Sequence, residues 1–358
     1  MLNLERFHDD AFCMEIFKRK LPWIFIDVAS GKLIIVVDNH LMTTHRACAD
    51  NFMMAHVEGK FLKGLPEQPS RSWYLEFGII FHILIEHYYK HFRDPDFSVA
   101  EWAGDMAYKV WTLKNMDAFA GVHPEHHAIG GLMGFQAMLL AYAHKFKPEN
   151  EKLRIIGTEV SFGKNREIPL YIGEYVEVYL AGRMDVIVDD GYFIMPMDHK
   201  TCGSFKRGDP LERYLIDEGP TGYIYTLRSL LPKLVPEELR LKRGCNKILM
   251  NFIEKQFNKD NPLDRFKRLP MFKSDEQLDT YRMRMLLSVE QLLCNLESHF
   301  QNLPVPRNTQ ACTDWYHGKC PYYDVHRQAT KDGEQNTLQN GFVTLPVWDT
   351  ETINALNS

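Results

Sequence analysis

Gly182-Arg183-Met184-Asp185-Val186-Ile187-Val188-Asp189-Asp190-Gly191-Tyr192-Phe193-Ile194-Met195-Pro196-Met197-Asp198-His199-Lys200-Thr201 reads as strand, tight turn, strand. Asp190-Gly191 is a pair that closes a two-residue hairpin, because both central positions of that turn need positive φ. A turn there sets Asp189 opposite Tyr192 and Asp185 opposite Pro196, with Asp198 two residues beyond. Side chains alternate faces with period 2, so Asp185, Asp198 and Lys200 share one face. Diagonal neighbours on a sheet face lie about 7–8 Å apart, near enough for two carboxylates to share a cation. Hard divalent ions such as Mg²⁺ and Mn²⁺ take oxygen sites of that kind. A lysine beside them can orient a water or neutralise a charged leaving oxygen. The competing reading is an ordinary hairpin with polar residues on its wet face.

The chain has 358 residues, enough to bury a sizeable core in one large domain or two. No apolar stretch approaches the length of a membrane span, and the N-terminus lacks signal-peptide architecture, which predicts a cytoplasmic protein. Seven cysteines without disulfide-like regularity fit a reducing compartment and a metal role better than a disulfide framework. A net charge of −5 rules out global attraction to nucleic acid. Local basic density follows the hairpin instead: Lys200, Lys206, Arg207, Arg213, Arg228, Lys233, Arg240, Lys242, Arg243, Lys247, Arg265, Lys267 and Arg268. These read either as solvated helix faces or as a groove that tracks phosphates beside a metal. Phe205, Tyr214, Tyr223 and Tyr225 are candidate stacking platforms for a single strand, and equally candidate core residues.

Periodicity predicts helices over 42–58, 73–92, 98–117, 128–146, 210–231 and 274–302. It predicts strands over 23–28, 33–37, 153–162, 175–188 and 192–200, and 246–259 opens like a further strand. Beyond about 328 the composition suggests a loosely packed extension. The fold class is therefore α/β, a central mixed sheet flanked by helices, with a helical N-terminal region.

The hairpin resembles the catalytic core of the PD-(D/E)XK nuclease superfamily in its RecB-type exonuclease branch. There a G-R-x-D strand and a turn lead to a strand ending D/E-x-K-T, matched here by Gly182-Arg183-Met184-Asp185 and Asp198-His199-Lys200-Thr201. The run from Trp73 to Glu86, with Gly78 and His82, resembles the family's G-x-x-x-H helix, and Gly157-Thr158-Glu159 its first sheet strand. Pro220-Thr221-Gly222-Tyr223 resembles the end of its Q-x-x-x-Y motif, with Gly219 where the family has glutamine. The resemblance implies a restriction-endonuclease-like core over 151–300, after an N-terminal region over 1–150 that carries His82 and Cys48. It implies His82, Asp185, Asp198 and the His199 carbonyl as ligands for Mg²⁺ or Mn²⁺. Asp185, Asp198, Lys200, Glu159 and Tyr223 become the catalytic set, with Lys200 positioning or deprotonating the attacking water. Gly78 and His82 lie on one helix face, where glycine admits close approach. His87 and His91 read as the polar face of that helix, and His123, His126 and His127 as a loop cluster.

A second constellation lies in Cys312-Thr313-Asp314-Trp315-Tyr316-His317-Gly318-Lys319-Cys320-Pro321-Tyr322-Tyr323-Asp324-Val325-His326. Some RecB-type nucleases tie the ends of the domain together with a 4Fe-4S cluster. The resemblance makes Cys48, Cys312 and Cys320 its thiolates, with His326 where the family has a last cysteine and His317 in reserve. The same donors suit a structural zinc, and a decayed site with no metal is the third reading. Residues 301–358 would carry this loop and an extension packing back on the N-terminal region. The expected function is a metal-dependent deoxyribonuclease acting on DNA ends or single strands, in recombination, repair or phage DNA metabolism. Its partners would be a recombinase, a helicase or a single-strand-binding protein. Two rivals remain: a non-catalytic DNA-end or partner-binding subunit on the same fold, and a metal-stapled scaffold whose hairpin carboxylates are incidental.

Overall fold

The structure is a computed structural model that describes residues 2–62, 73–113, 131–163, 165–203, 205, 209–255, 262–313, 320–328 and 330–344. For residues 61, 62, 73–76 and 213 it describes the backbone alone. His123, His126, His127, Lys206, Arg207 and His317 lie outside the described residues. In chain order the strands are β1 Ile24–Ile26, β2 Leu33–Val37, β3 Lys60–Leu62, β4 Arg154–Phe162, β5 Pro169–Ile172, β6 Val176–Leu180, β7 Gly182–Asp189, β8 Ile194–Cys202, β9 Lys247–Glu254, β10 Phe266–Phe272 and β11 Phe342–Thr344. The chain divides into two compact units, each assembled from separate stretches of sequence.

The first unit comprises Met1–Glu67, Phe162–Gly182 and Asp279–Ser358. Its four-stranded sheet runs β1-β2-β6-β5, with β2 parallel to β6 and the outer pairs antiparallel. The helix expected over 42–58 is two helices, Asn39–Ala47 and Ala49–His56, because Cys48 between them is extended at φ −164, ψ 111. Asp38 starts the first of them by accepting from the Leu41 N–H at 2.6 Å. Residues 330–344 of the extension beyond 328 carry regular structure that its composition does not suggest. They form the helix Lys331–Gly341 and strand β11, which pairs antiparallel with β3.

The second unit comprises Gln68–Ser161 and Arg183–Leu278. Its sheet runs β10-β9-β8-β7-β4, with β8 parallel to β9. Alternation along β9 divides the core. Leu249 and Ile253 join Phe81, Leu84, Tyr142 and Phe146, from the helices Trp73–His91 and Gly131–Asn150. Ile248, Met250 and Phe252 join Ile224, from the helix Glu218–Leu234. Both faces of the strand are thus apolar, the pattern of a sheet covered on each side.

Two strand assignments need correction. The run expected over 175–188 is two strands in different sheets, and the chain changes sheet at Ala181, whose N–H is taken by the Val37 carbonyl at 2.8 Å. The hairpin register is shifted by two residues from the expected one. Val186 faces Met197 and Asp189 faces Ile194. The turn centres on Gly191-Tyr192, and only Gly191 takes positive φ, at +91. Asp190 stays outside it and works as an acceptor, its Oδ1 taking the N–H groups of Tyr192 at 2.9 Å and Phe193 at 2.7 Å. This Asx-type closure competes with placing the aspartate at a left-handed position. A shift of two preserves which face each side chain occupies.

Replacing Asp190 by alanine removes the oxygen that accepts both turn N–H groups and the partner of Lys247, 2.8 Å away. Urea unfolding of Asp190→Ala should show a loss of about 2 kcal/mol; an unchanged midpoint would mean that the turn holds without its cap.

Candidate functional site

The β7–β8 ladder runs from Asp189↔Ile194 to Val186↔Met197 and stops. The next residues along, Asp185 and Asp198, stand where the strands part. Asp185 Oδ2 accepts the His199 backbone N–H at 2.8 Å, so a side chain replaces the ladder there. Lys200, two residues on from Asp198 and on the same strand face, places Nζ 2.9 Å from Asp198 Oδ2.

His82 reaches Asp185 from the Trp73–His91 helix, with Nδ1 3.4 Å from Oδ2. Gly78, one turn earlier, explains how the helix comes so near. A Cβ on it would lie 3.1 Å from Thr201 Oγ1, tighter than most packed contacts. Glu159 enters from β4 with a backbone φ of +49, a left-handed conformation that costs a non-glycine residue about 1 kcal/mol or more. Arg183 Nε holds its carboxylate at 2.6 Å. His82, Glu159 and Asp185 each bring one ligand atom within 4.8 Å of the others, the spacing of a metal-binding group. Among the described residues this is the one such group, and it contains Glu159 rather than Asp198. The sequence placed Glu159 in the catalytic set without showing how close it comes to His82 and Asp185.

Electrostatics divide the carboxylates. Burial alone would raise Asp185, but His82 outweighs it and holds the carboxyl below its usual range. Burial pushes Asp198 up to about 6; Lys200 opposes that and Asp185 adds to it. Glu159 is pushed up to about 7 by burial and then by Asp185. For Lys200 burial is overcome by Asp198 and Tyr223, so its ammonium persists far above the usual lysine range. That keeps Lys200 a charged partner of Asp198. Tyr223 is placed near Lys200 by that same electrostatic contact. Gly219, at the family's glutamine position, lies in the first turn of the Glu218–Leu234 helix, where its N–H donates to Asp217 Oδ1 at 2.7 Å.

The His199 ring is 2 % exposed and stacks on Tyr89 at 5.6 Å between centroids. Asn251 Nδ2 lies 3.1 Å from its Nδ1. Sequence reading missed this environment, because Tyr89, Asn251 and Arg268 are far apart in the chain and carry no motif. Of the basic residues that read either as solvated faces or as phosphate contacts, four are engaged within the protein. Arg243 pairs with Asp189 at 3.1 Å, Lys247 with Asp190 at 2.8 Å and Arg228 with Asp275 at 2.6 Å, while the Arg268 side chain is 5 % exposed. Tyr214, Tyr223, Tyr225 and Phe205 are partly buried against the Ile224 core.

The first unit gathers the sulfur donors. Cys48, Cys312 and Cys320 are buried free thiols, and burial pushes the latter two up, with Cys48 close enough to add to both. Cys312 Sγ lies 3.5 Å from His326 Nδ1, and Asn51 Nδ2 donates to Cys320 Sγ at 3.4 Å. His326 Nε2 meets Asp50 Oδ2 at 3.0 Å. A carboxylate on one ring nitrogen leaves the other free to face the thiols, the arrangement that orients ligating histidines. The donor types fit an iron–sulfur cluster or a zinc ion.

No helix among the described residues is long and apolar enough to cross a membrane. A search of curated proteins finds no match. Among solved structures, the crystal structure of SSO0001 is similar over 69% of this chain and 94% of that one, at 15% identity and a TM-score of 0.23, too low to carry an argument. Residues 42–325 match the family model of the PD-(D/E)XK nuclease superfamily. That span covers most of the chain and includes the split hairpin, its acidic pair and Lys200, so the chain belongs to the PD-(D/E)XK nuclease superfamily.

Proposed function

We propose that the protein is a Mg²⁺- or Mn²⁺-dependent DNA nuclease, an exonuclease of the RecB type that acts on DNA ends or single strands. The observation that carries this reading is the convergence of His82, Glu159 and Asp185 within 4.8 Å, beside the Asp198–Lys200 pair. His82, Glu159 and Asp185 would hold the ion, and Asp198 borders it. Bound there, such an ion supplies Lewis-acid polarisation of a phosphodiester. The chain does the rest. The His199 N–H fixes the Asp185 carboxylate, and Arg183 fixes Glu159. The Lys200 ammonium, steadied by Asp198, donates to the attacking water or to a phosphate oxygen. Tyr223 stands close enough to bear on the same phosphate. Recombination, repair or phage DNA metabolism is the setting this activity suits, with a helicase, recombinase or single-strand-binding partner supplying the strand.

End-labelled single- and double-stranded DNA, with Mn²⁺ or with EDTA, tests the reading. Cleavage should require Mn²⁺ and fall by at least about 10³-fold in Lys200→Ala and Asp198→Ala. Labelled mononucleotides or short products would mark cutting from an end. Undiminished cleavage by either folded variant would overturn the assignment.

The carboxylates also predict a pH dependence. Glu159 and Asp198 keep protons up to about 7 and about 6, and an ion must displace them. Mn²⁺ affinity, measured by calorimetry, should therefore rise as pH goes from 5 to 8, with proton release on binding near pH 6. A flat profile would mean that no ion binds at Glu159 beside Asp198.

For the cysteine–histidine group we propose an iron–sulfur cluster held by Cys48, Cys312, Cys320 and His326. What supports this reading is the resemblance to RecB-type nucleases together with three buried thiols and an imidazole oriented by Asp50; a zinc ion is the alternative that the same donors fit. Protein purified without oxygen should contain iron and acid-labile sulfide, both lost in Cys312→Ala. Stoichiometric zinc, or no metal, would contradict this.

A further inference from the structure

We propose that Arg268 and Asn251 are positioning residues for the nuclease site, acting through the His199 ring. The functional half of this proposal rests on the metal-dependent reading above. Arg268 lies on β10 with its side chain 5 % exposed and its guanidinium 4.0 Å from the Phe146 ring centroid. Its Nε donates to Asn251 Oδ1 at 2.7 Å. One terminal nitrogen donates to Asn150 Oδ1 at 2.9 Å and Glu149 Oε2 at 3.0 Å, and the other to the Tyr89 hydroxyl at 2.9 Å.

These bonds hold two of the groups around the His199 ring, which also meets His82 and Tyr142 edge-on at 6.0 and 6.4 Å between centroids. Tyr89 lies against its face, with 24° between the ring planes. Asn251 meets its edge: with Oδ1 committed to Arg268, its amide nitrogen, a donor only, faces His199 Nδ1 at 3.1 Å, the Tyr142 hydroxyl at 3.1 Å and Met197 Sδ at 3.0 Å. His199 Nδ1 is then an acceptor and the ring proton sits on Nε2, which is buried without a partner among the described residues. A clamped ring fixes its own backbone. That backbone carries the N–H bound to Asp185 Oδ2 and lies between Asp198 and Lys200. A purely hydrophobic filling would pack the same volume without the cost of burying a guanidinium. The clamp instead fixes a direction, as outer partners do for ligating groups.

The test uses the full chain and two variants. Asn251→Asp keeps the shape and removes the N–H facing His199. Arg268→Lys keeps the charge and loses the fork that grips four groups at once. Long-range proton–nitrogen spectra of the metal-free wild type should show His199 protonated on Nε2, and both variants should lose that signature. Mn²⁺ affinity should fall about tenfold in each. A wild-type ring protonated on Nδ1 would overturn the proposal. So would variants that melt earlier yet keep both the ring signature and the wild-type Mn²⁺ affinity, as a simple brace would. If Asn251→Asp does not fold, Arg268→Lys gives the same two readings. Wild-type protein that binds no Mn²⁺ would sink the nuclease reading and the functional half with it, while the ring spectra still decide the clamp.

Discussion

Two carboxylates that stand side by side in a partly buried setting cannot both ionise without cations against them. Asp185 and Asp198 meet that constraint differently. Asp185 is matched by His82 and a backbone N–H, and it stays ionised. Asp198 is matched by Lys200 and is still pushed up to about 6. Glu159 adds a third acid, bent into place through a left-handed backbone and pushed up to about 7. Such crowding of acids is unfavourable in itself and becomes favourable once a divalent ion joins them, which is why strain and weakened acids gather at sites built for one.

The faces of the hairpin were legible in its sequence because period-2 alternation survives a register shift of two. The register itself was not. Asp190-Gly191 looks like a two-residue turn, yet Asp190 is held outside it by its own side-chain bonds to Tyr192 and Phe193. Gly78 and His82 were readable as one helix face, and the approach of Gly78 to Thr201 gives that spacing its reason. The change of sheet at Ala181 was not readable, since 175–188 is apolar on both sides of it and the partner strands are distant in sequence. Strand β10 carries Pro270 and charged residues and gave no strand signal. The polar cluster of Tyr89, Asn150, Asn251 and Arg268 exists only after folding.

Charge alone left two readings open. A run of basic residues after the hairpin suggests a phosphate groove, but Arg228, Arg243, Lys247 and Arg268 neutralise acids or buried oxygens within the second unit. The first unit shows the opposite case. Four donors scattered from residue 48 to residue 326 are brought together, and Asp50, which no motif singled out, orients the histidine among them.

Where a divalent ion sits decides whether these acids form a nuclease site. Anomalous scattering from crystals of the protein soaked in Mn²⁺ locates it directly. A peak is expected between the imidazole of His82 and the carboxylates of Glu159 and Asp185, and none there in Asp185→Asn crystals. Mn²⁺ found only elsewhere, with those three side chains free of it, would overturn the assignment of this site.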